Sequence, residues 1–581
     1  MLALFLLPLL TLAGANTVIS LQNNTLLLLA LFLNGVLVLI ICLPINLVSQ
    51  RLYPIAIWVI SFCLLFQILG TSPYLMGTDV NLEYFLFEGV KSSGHWYSGS
   101  AELYNGLLSV TVLPTIIQSV LAVDDTTVFK VAYPIVFSFA PVILYLAYRH
   151  VIGAKGAFLS AVLFMSYISY YQEVNFIERQ MIAEVILASL ILVTLSSSLR
   201  SKTIATLPII LIIGLVASHY STMYVYVFIS LVSWIVLRIL KRRTVNTLPI
   251  IGLALVVAVG WYTYTASGVA FTRLLDVVAI VSQTFSSQFF SPQSRGTLVV
   301  KALGIGVNPT LMNRMFLYTD YLIQALIVVG AIKLWTERKN RAIRGELLGY
   351  TCAGLCFLGL GILVPSLAAG LGSTRVYQLS LVFISPACVI GGEAIFTRLF
   401  RLFSTRHRSV SQPRLNINLT LVSCIIVLFL LFNTGFMHQV SGDKPISPSL
   451  GYNQLRASNV TGLVTYFHSD YIQAQDVASS RWLSTYAADN LKTCGDIFSR
   501  WTVMNSYGGI PQSQQPNTPL LYPGAYGPGC EYFYLSYMNV VNGIGVGPTG
   551  WLGQTWSTLE VSDLLVSRNT VYSNGGSNIL A

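Results

Sequence analysis

Asp79 and Glu83 stand four residues apart in Gly77-Thr78-Asp79-Val80-Asn81-Leu82-Glu83, directly after a long apolar run. If a helix begins at Asp79, the two carboxylates share a face, where they can orient a hydroxyl group and take its proton. The alternative is an N-cap with an acidic first turn, both ordinary preferences. A second polar cluster comprises Tyr171, Gln172, Glu173, Glu178, Arg179 and Gln180, with Glu184 about a turn into the next apolar run. An ionisable residue inside a membrane helix is costly, so it faces a cavity or a partner. Arg179 is the expected partner of Glu184, or a phosphate ligand through its planar fork; a purely structural Arg–Glu tether fits the same spacing. Ser218-His219-Tyr220-Ser221-Thr222 forms a polar hairpin between two apolar runs. No acid stands in register with it, which argues against a hydrolase triad and leaves His219 as a phosphate or hydroxyl ligand, or as an interfacial polar residue. In Ser373-Thr374-Arg375-Val376-Tyr377-Gln378, Arg375 either snorkels to the lipid surface or grips an anion. Arg273, Arg295, Lys301, Arg314 and Asp320 rank lower, because a juxtamembrane arginine is common for anchoring alone.

The elements that must position these residues follow from composition. Of 581 residues, 54% are hydrophobic and only 9% are charged, against about 25% charged in soluble domains. This excludes a single soluble globular domain. Apolar runs close to the roughly 20 residues that span a bilayer recur to about residue 435, giving about 13 expected transmembrane helices. They fall at about 1–15, 26–47, 53–72, 133–148, 156–171, 180–196, 204–218, 223–240, 246–264, 316–335, 347–365, 376–396 and 417–435. The net charge of +11 sits mostly in short alternate loops around Arg149, Arg200, Lys241, Arg338 and Arg398. That distribution reads as membrane topology, with basic loops in the cytoplasm, and gives no support for a nucleic-acid partner. Asp79, Glu173, His219 and Arg375 then all face the outside. The segment Tyr104–Val123 is apolar enough to span, but a crossing there would put the following basic loops outside. It is therefore expected as a membrane-lying or re-entrant helix within a large first external loop, about 76–132, whose first helix lies around Leu82–Lys91. Leu2–Leu12 followed by Ala13-Gly14-Ala15 resembles a secretory signal but lacks a basic n-region.

From about residue 436 to 581, Ser, Asn, Gly, Pro and Tyr replace the aliphatic runs, indicating an extracytoplasmic C-terminal α/β domain after a transmembrane domain of 1–435. Asp476–Tyr486 reads as a short helix and Tyr532–Val541 as a strand or short helix. Cys494 and Cys530 lie there and could pair, whereas the other six cysteines sit in apolar segments as small hydrophobes. Asn459-Val460-Thr461 is a glycosylation sequon on the expected outer side. Gly545-Val546-Gly547-Pro548-Thr549-Gly550 fits GxGxxG formally, but Pro548 and Trp551 do not open a helix, so it reads as a turn. No Cys/His cluster has zinc spacing.

A first external loop that opens on an acidic residue, membrane-lying helices, many later spans and an external C-terminal domain resemble the GT-C superfamily of polyprenol-dependent glycosyltransferases. More specifically, Gly77-Thr78-Asp79 to Glu83, Tyr104-Asn105 with Leu108 to Pro114, Arg179-Gln180 with Glu184, Ser218 to Thr222, Arg375 with Tyr377-Gln378, and Asp476-Val477 through Trp482-Leu483 resemble a mostly archaeal family of predicted multispanning membrane proteins of unassigned function. The superfamily resemblance implies a multi-pass cell-membrane enzyme that transfers a sugar, with inversion, from a polyprenyl-phosphate-linked donor to a glycan, lipid or protein acceptor at the extracytoplasmic face. Asp79 would be the base on the acceptor hydroxyl, supported by Glu83. Arg179, Arg375 and His219, with Glu173, Glu184 and Tyr220 beside them, would hold the donor phosphate or the substrate. Asn81 replaces the second acid of the paired-acid form used by some members, so no metal or other cofactor is expected. The competing readings are a carrier or flippase for lipid-linked glycans, and a non-catalytic scaffold whose external domain binds glycan. The absence of paired broken helices or symmetric halves weighs against the carrier.

Overall fold

The computed structural model describes the chain except for Met1, Asn46, Ala101, Leu103, 197–205, Arg243, Val245, Phe290, 292–309, 339–343, Pro365, Ser366, 368–371, 404–411, 487–491, 511–520, 525–529 and 548–553. Among the described residues, eight helices are long and apolar enough to cross a bilayer, among them Thr25–Cys42, Tyr220–Ile239 and Leu311–Thr336, and five shorter apolar helices accompany them. The chain is mainly α and multi-pass, with a small β-containing C-terminal part.

Each range expected as a span overlaps a helix, but three segments differ from expectation. The two spans expected at 133–148 and 156–171 meet in one helical stretch, Ala140–Ser166, interrupted at Gly153 with φ 76° and ψ 166°. Only glycine adopts such backbone without strain. The expected helix over Tyr104–Val123 runs only from Val112 to Leu121. Its first part is unwound because side chains from elsewhere occupy its carbonyls: Trp96 Nε1 donates to Asn105 O at 3.0 Å and Trp261 Nε1 to Gly106 O at 2.8 Å. Finally, the expected loop after Tyr264 contains a helix, Val269–Gln288, in which Ala270 is the one buried residue. Its apolar Leu275, Val278, Ile280 and Phe285 are exposed. In the sequence Arg273 and Asp276 before, and Ser282, Gln283 and Thr284 after, shorten the continuous apolar run to Val277–Val281, yet Ala266–Gln288 is one of the eight stretches long and apolar enough to cross a bilayer.

Small residues let the long helices meet. Leu311–Thr336 packs against Ser373–Phe403 so closely that a Cβ on Gly330 would lie 1.7 Å from Ala387 O, and one on Gly391 would lie 1.9 Å from Leu326 O. Lipid supplies no hydrophobic drive between helices, so close backbone packing of this kind is what joins them.

Beyond Asn433 the chain folds into short helices and a four-stranded sheet, with Thr493–Cys494 parallel to Tyr532–Leu535, which pairs antiparallel with Asn578–Leu580, itself antiparallel to Thr570–Ser573. Cys494 and Cys530 are joined by a disulfide. Asp476 and Asp496 are buried here as structural acceptors. Asp476 takes the Tyr537 N–H at 2.7 Å, and Asp496 takes Ser499 N–H at 2.9 Å and Asn539 Nδ2 at 3.1 Å. Helix Ala474–Tyr486 and the strand-then-helix at Tyr532–Leu535 and Tyr537–Val540 fall where the sequence places them. Gly545 of the formal GxGxxG lies on a strand, Ile544–Val546, against the Trp556 ring, and residues 548–553 lie outside the described ones. One continuous apolar cluster runs from the bundle, at Val18 and Leu64, to Tyr471, Tyr507 and Ile579, so the C-terminal part is packed onto one end of the bundle. That end carries the candidate site.

Candidate active site

The acid loop is built from a glycine turn. Gly77 has φ +85°, and a Cβ there would meet Phe176 at 2.7 Å, so both backbone and space demand glycine. Asn81 Nδ2 closes the turn on Gly77 O at 2.6 Å, and a helix then runs from Asp79 to Ser93, ending at left-handed Gly94. Asp79 is the first helical residue. Its carboxylate does not cap the helix; it is engaged sideways.

Arg179 is the partner. Its side chain is 2% exposed; Nη2 donates to Asp79 Oδ1 at 3.1 Å and Nη1 donates to Glu83, which is fully buried. The spacing of four brings both carboxylates to one fork, as a helix starting at Asp79 requires. The same guanidinium lies 3.8 Å above the centroid of the Tyr104 ring, and Tyr104 OH donates to Asp79 Oδ1 at 3.2 Å. Glu83 accepts a further bond, from the Glu178 N–H at 3.0 Å. Asp79 Oδ1 thus carries both of its side chain's bonds, while Oδ2 accepts none from a described residue; the side chain stays 23% exposed.

Electrostatics separate the two acids. Burial pushes the Asp79 carboxyl up, but Arg179 and Arg375, with the bonds from Arg179 and Tyr104, outweigh it and leave the group below the usual carboxylate range. Burial also raises Glu83, and there Arg179 does not fully offset it. Titratable groups pushed apart in this way are suited to different protonation roles.

The other expected residues converge from three elements. His219 interrupts the helices Thr206–Ser218 and Tyr220–Ile239 with extended backbone, and its Nδ1 pairs with Thr222 Oγ1 at 2.7 Å. Ser109 Oγ donates to Ser218 O at 2.9 Å, tying this hairpin to the first loop. Burial, then Arg179 and Arg375, hold His219 well below its ordinary value, so the imidazole is neutral. Arg375, in the first turn of Ser373–Phe403, lies within electrostatic reach of Asp79, Glu173, His219 and Tyr220, and forms no ion pair with a described residue. Glu173 flanks it, accepting Thr374 Oγ1 at 2.6 Å and Ser169 Oγ at 3.1 Å, and burial raises its carboxyl.

One expected pairing is corrected. Arg179 does not meet Glu184; Gln180 Nε2 does, at 2.9 Å. Positions four apart share a helix face, whereas five residues turn about 140° around the axis. Glu184 therefore points away from the cluster. Of the lower-ranked residues, Arg273 acts electrostatically on Tyr220, Arg314 and Asp320 lie on Leu311–Thr336, and Arg295 and Lys301 lie outside the described residues. Tyr104 and Glu178 have contacts that sequence spacing does not signal, since their partners are 25 and 95 positions away. Among the described residues no three His, Cys, Asp or Glu converge as a metal site.

Among solved structures, the chain is similar to ArnT from Cupriavidus metallidurans bound to undecaprenyl phosphate, at 11% identity and TM-score 0.46, over 91% of this chain and 97% of that one. It is similar to the apo oligosaccharyltransferase of Archaeoglobus fulgidus at 13% and 0.47, over 84% and 70%. The mycobacterial arabinofuranosyltransferase AftD aligns at 11% and 0.44, over 92% of this chain and 40% of that one. No curated protein matches. A family model described as "Predicted membrane protein (DUF2206)" matches residues 202–580, and the chain belongs to that family.

Proposed function

We propose that the chain is a membrane glycosyltransferase that moves a sugar from a polyprenyl-phosphate-linked donor to an acceptor hydroxyl or amide at the extracytoplasmic face, in cell-surface glycan or glycoprotein assembly. The observation that carries the reading is the pairing, at one end of a lipid-embedded bundle, of an ionised carboxylate, one oxygen of which accepts no bond from a described residue, with a guanidinium that has no ion-pair partner among the described residues: Asp79 Oδ2 and Arg375. A base and an anion site side by side are what transfer from a phosphate leaving group needs.

In this mechanism Asp79 Oδ2 takes the acceptor proton as the acceptor atom forms its bond to the anomeric carbon. The bond from that carbon to the phosphate oxygen breaks, and its electron pair leaves with the polyprenyl phosphate. Arg375 meets the negative charge gathering on that oxygen. Neutral His219, with Nδ1 committed to Thr222, can offer its other ring nitrogen to phosphate or to a sugar hydroxyl. Tyr220 and Glu173 both lie within electrostatic reach of Arg375. Arg179, clamped between Asp79 and Glu83, holds the base in place. Displacement by the acceptor from the face opposite the phosphate inverts the anomeric centre.

The test is release of polyprenyl phosphate from a panel of radiolabelled polyprenyl-phosphate sugars by the purified protein in nanodiscs, with membrane glycolipids and peptides as acceptors. Release that depends on acceptor supports the reading. No release from any donor, with translocation of the same lipids intact, would replace it with the carrier.

A further inference from the structure

Three tyrosine hydroxyls of the C-terminal part reach down to the two segments that carry the site. Tyr471 OH pairs with Thr71 Oγ1 at 2.7 Å, and the Tyr471 backbone forms an antiparallel bridge with Met76. Tyr507 OH accepts the buried Leu75 N–H at 3.2 Å, and its ring packs on Tyr84 of the acid helix, with centroids 6.0 Å apart. Next to these, Gly77 N–H donates to Asp470 O at 3.1 Å. The chain is therefore held at four points, Thr71, Leu75, Met76 and Gly77, and Gly77 stands two residues before Asp79. On the opposite flank, Tyr466 OH accepts Gln172 Nε2 at 2.8 Å and donates to Ile446 O at 3.2 Å. Gln172 adjoins Glu173, which is bonded to Thr374 beside Arg375.

Tyr466 and Tyr471 sit on one short stretch, at the helix Thr461–Asp470 and the residue after it, with the Tyr471 ring stacked on Phe467 at 4.8 Å and edge-on to Tyr452 at 5.0 Å. A stretch locked in this way links the base-bearing flank to the anion-bearing flank. We propose that Tyr466, Tyr471 and Tyr507 are positioning residues that set the separation of Asp79 from the Glu173–Arg375 flank, so that the C-terminal part governs transfer through geometry without touching substrate. The proposal rests on the assignment of Asp79 and Arg375 above.

The test uses the full-length protein in nanodiscs with Tyr466→Phe, Tyr471→Phe and Tyr507→Phe, which keep the rings and remove only the hydroxyls. Thr71→Val removes the Tyr471 bond from the other side, should Tyr471→Phe fail to fold. Amide hydrogen exchange over 71–83 is expected to quicken about 5- to 10-fold in Tyr471→Phe, Tyr507→Phe and Thr71→Val, the factor expected for loss of one hydrogen bond. Exchange in the helix Thr25–Cys42, which carries none of the site residues, should not change. In transfer assays each Tyr→Phe variant should lower kcat while donor KM stays within about twofold. Unchanged exchange in all of them, or a loss confined to KM, overturns the proposal. Absence of transfer by the wild type, with the exchange shifts present, instead overturns the assignment of the site.

Discussion

Replacing Arg179 while also neutralising Glu83 should restore much of what the single replacement of Arg179 destroys. Arg179 is 2% exposed and Glu83 is fully buried, so Arg179→Met leaves a carboxylate in the interior with only the Glu178 N–H as donor. Removing one partner of a buried pair costs about 3–5 kcal/mol, most of it the penalty of the charge left behind, whereas replacing both partners is often close to neutral. Arg179→Met should therefore lose about 3–5 kcal/mol. Glu83→Gln should lose less, about 1–3 kcal/mol, because Arg179 keeps Asp79 and the Tyr104 face. The double variant should cost about 2 kcal/mol or more below the sum of the two. The assay is reversible unfolding in bicelles by SDS titration, for wild type, both singles and the double. Additivity within about 0.5 kcal/mol would refute the reasoning, because it would mean that the two groups do not share a buried ion pair.

Three further outcomes follow from other parts of the molecule. Gly330→Leu and Gly391→Leu should each break the contact between Leu311–Thr336 and Ser373–Phe403, since even a Cβ would clash with a backbone carbonyl; a melting temperature in nanodiscs equal to wild type would contradict the packing. Cys494 and Cys530 should resist maleimide until reduced. Opening that crosslink, across a sequence separation of 36, should destabilise the C-terminal part by about 4 kcal/mol in chain entropy; labelling of both thiols in intact cells without reductant would contradict an oxidising, extracytoplasmic location. Burial raises the Asp476 carboxyl to about 7 despite the bonds it accepts, so the folded protein holds a proton that the unfolded chain releases from pH 4 upward. Its contribution to stability is intact below about pH 4 and falls by up to about 4 kcal/mol as pH rises through 7. Asp476→Asn keeps an acceptor for Tyr537 N–H and should flatten that decline; an unchanged pH profile would refute it.

What was legible in the sequence was local. The helix beginning at Asp79 could be read because a glycine turn, an acidic first position and an apolar face are adjacent in the chain, and the four-residue spacing placed Glu83 on the same side. Helix ranges were legible because lipid demands continuous apolar runs. Arg179 was named as a partner for the wrong acid: Glu184 is its neighbour in sequence, but the fork reaches Glu83 and Asp79, 96 and 100 positions away. Such a choice is made by packing of the first loop against the Glu178–Leu195 helix, which no local pattern encodes. Tyr104 escaped for the same reason. The helix Val269–Gln288 escaped because its continuous apolar run, Val277–Val281, is short, bounded by Arg273 and Asp276 on one side and Ser282, Gln283 and Thr284 on the other, and it has almost no packed face to imprint a period. The unwound start of the 104–123 segment depends on indole donors from Trp96 and Trp261, again contacts made in space.

The most direct measurement is sugar transfer from polyprenyl-phosphate donors by purified wild type beside Asp79→Asn, with and without chelator, across pH 3 to 8. Asn can still accept from Tyr104 and Arg179, so the site should keep its shape while losing its base. Transfer by the wild type that persists to below the ordinary Asp value of 3.8, as the lowered Asp79 carboxyl requires, and vanishes in Asp79→Asn at every pH is the expected result. Transfer by Asp79→Asn at the wild-type rate would contradict the central claim that Asp79 is the base.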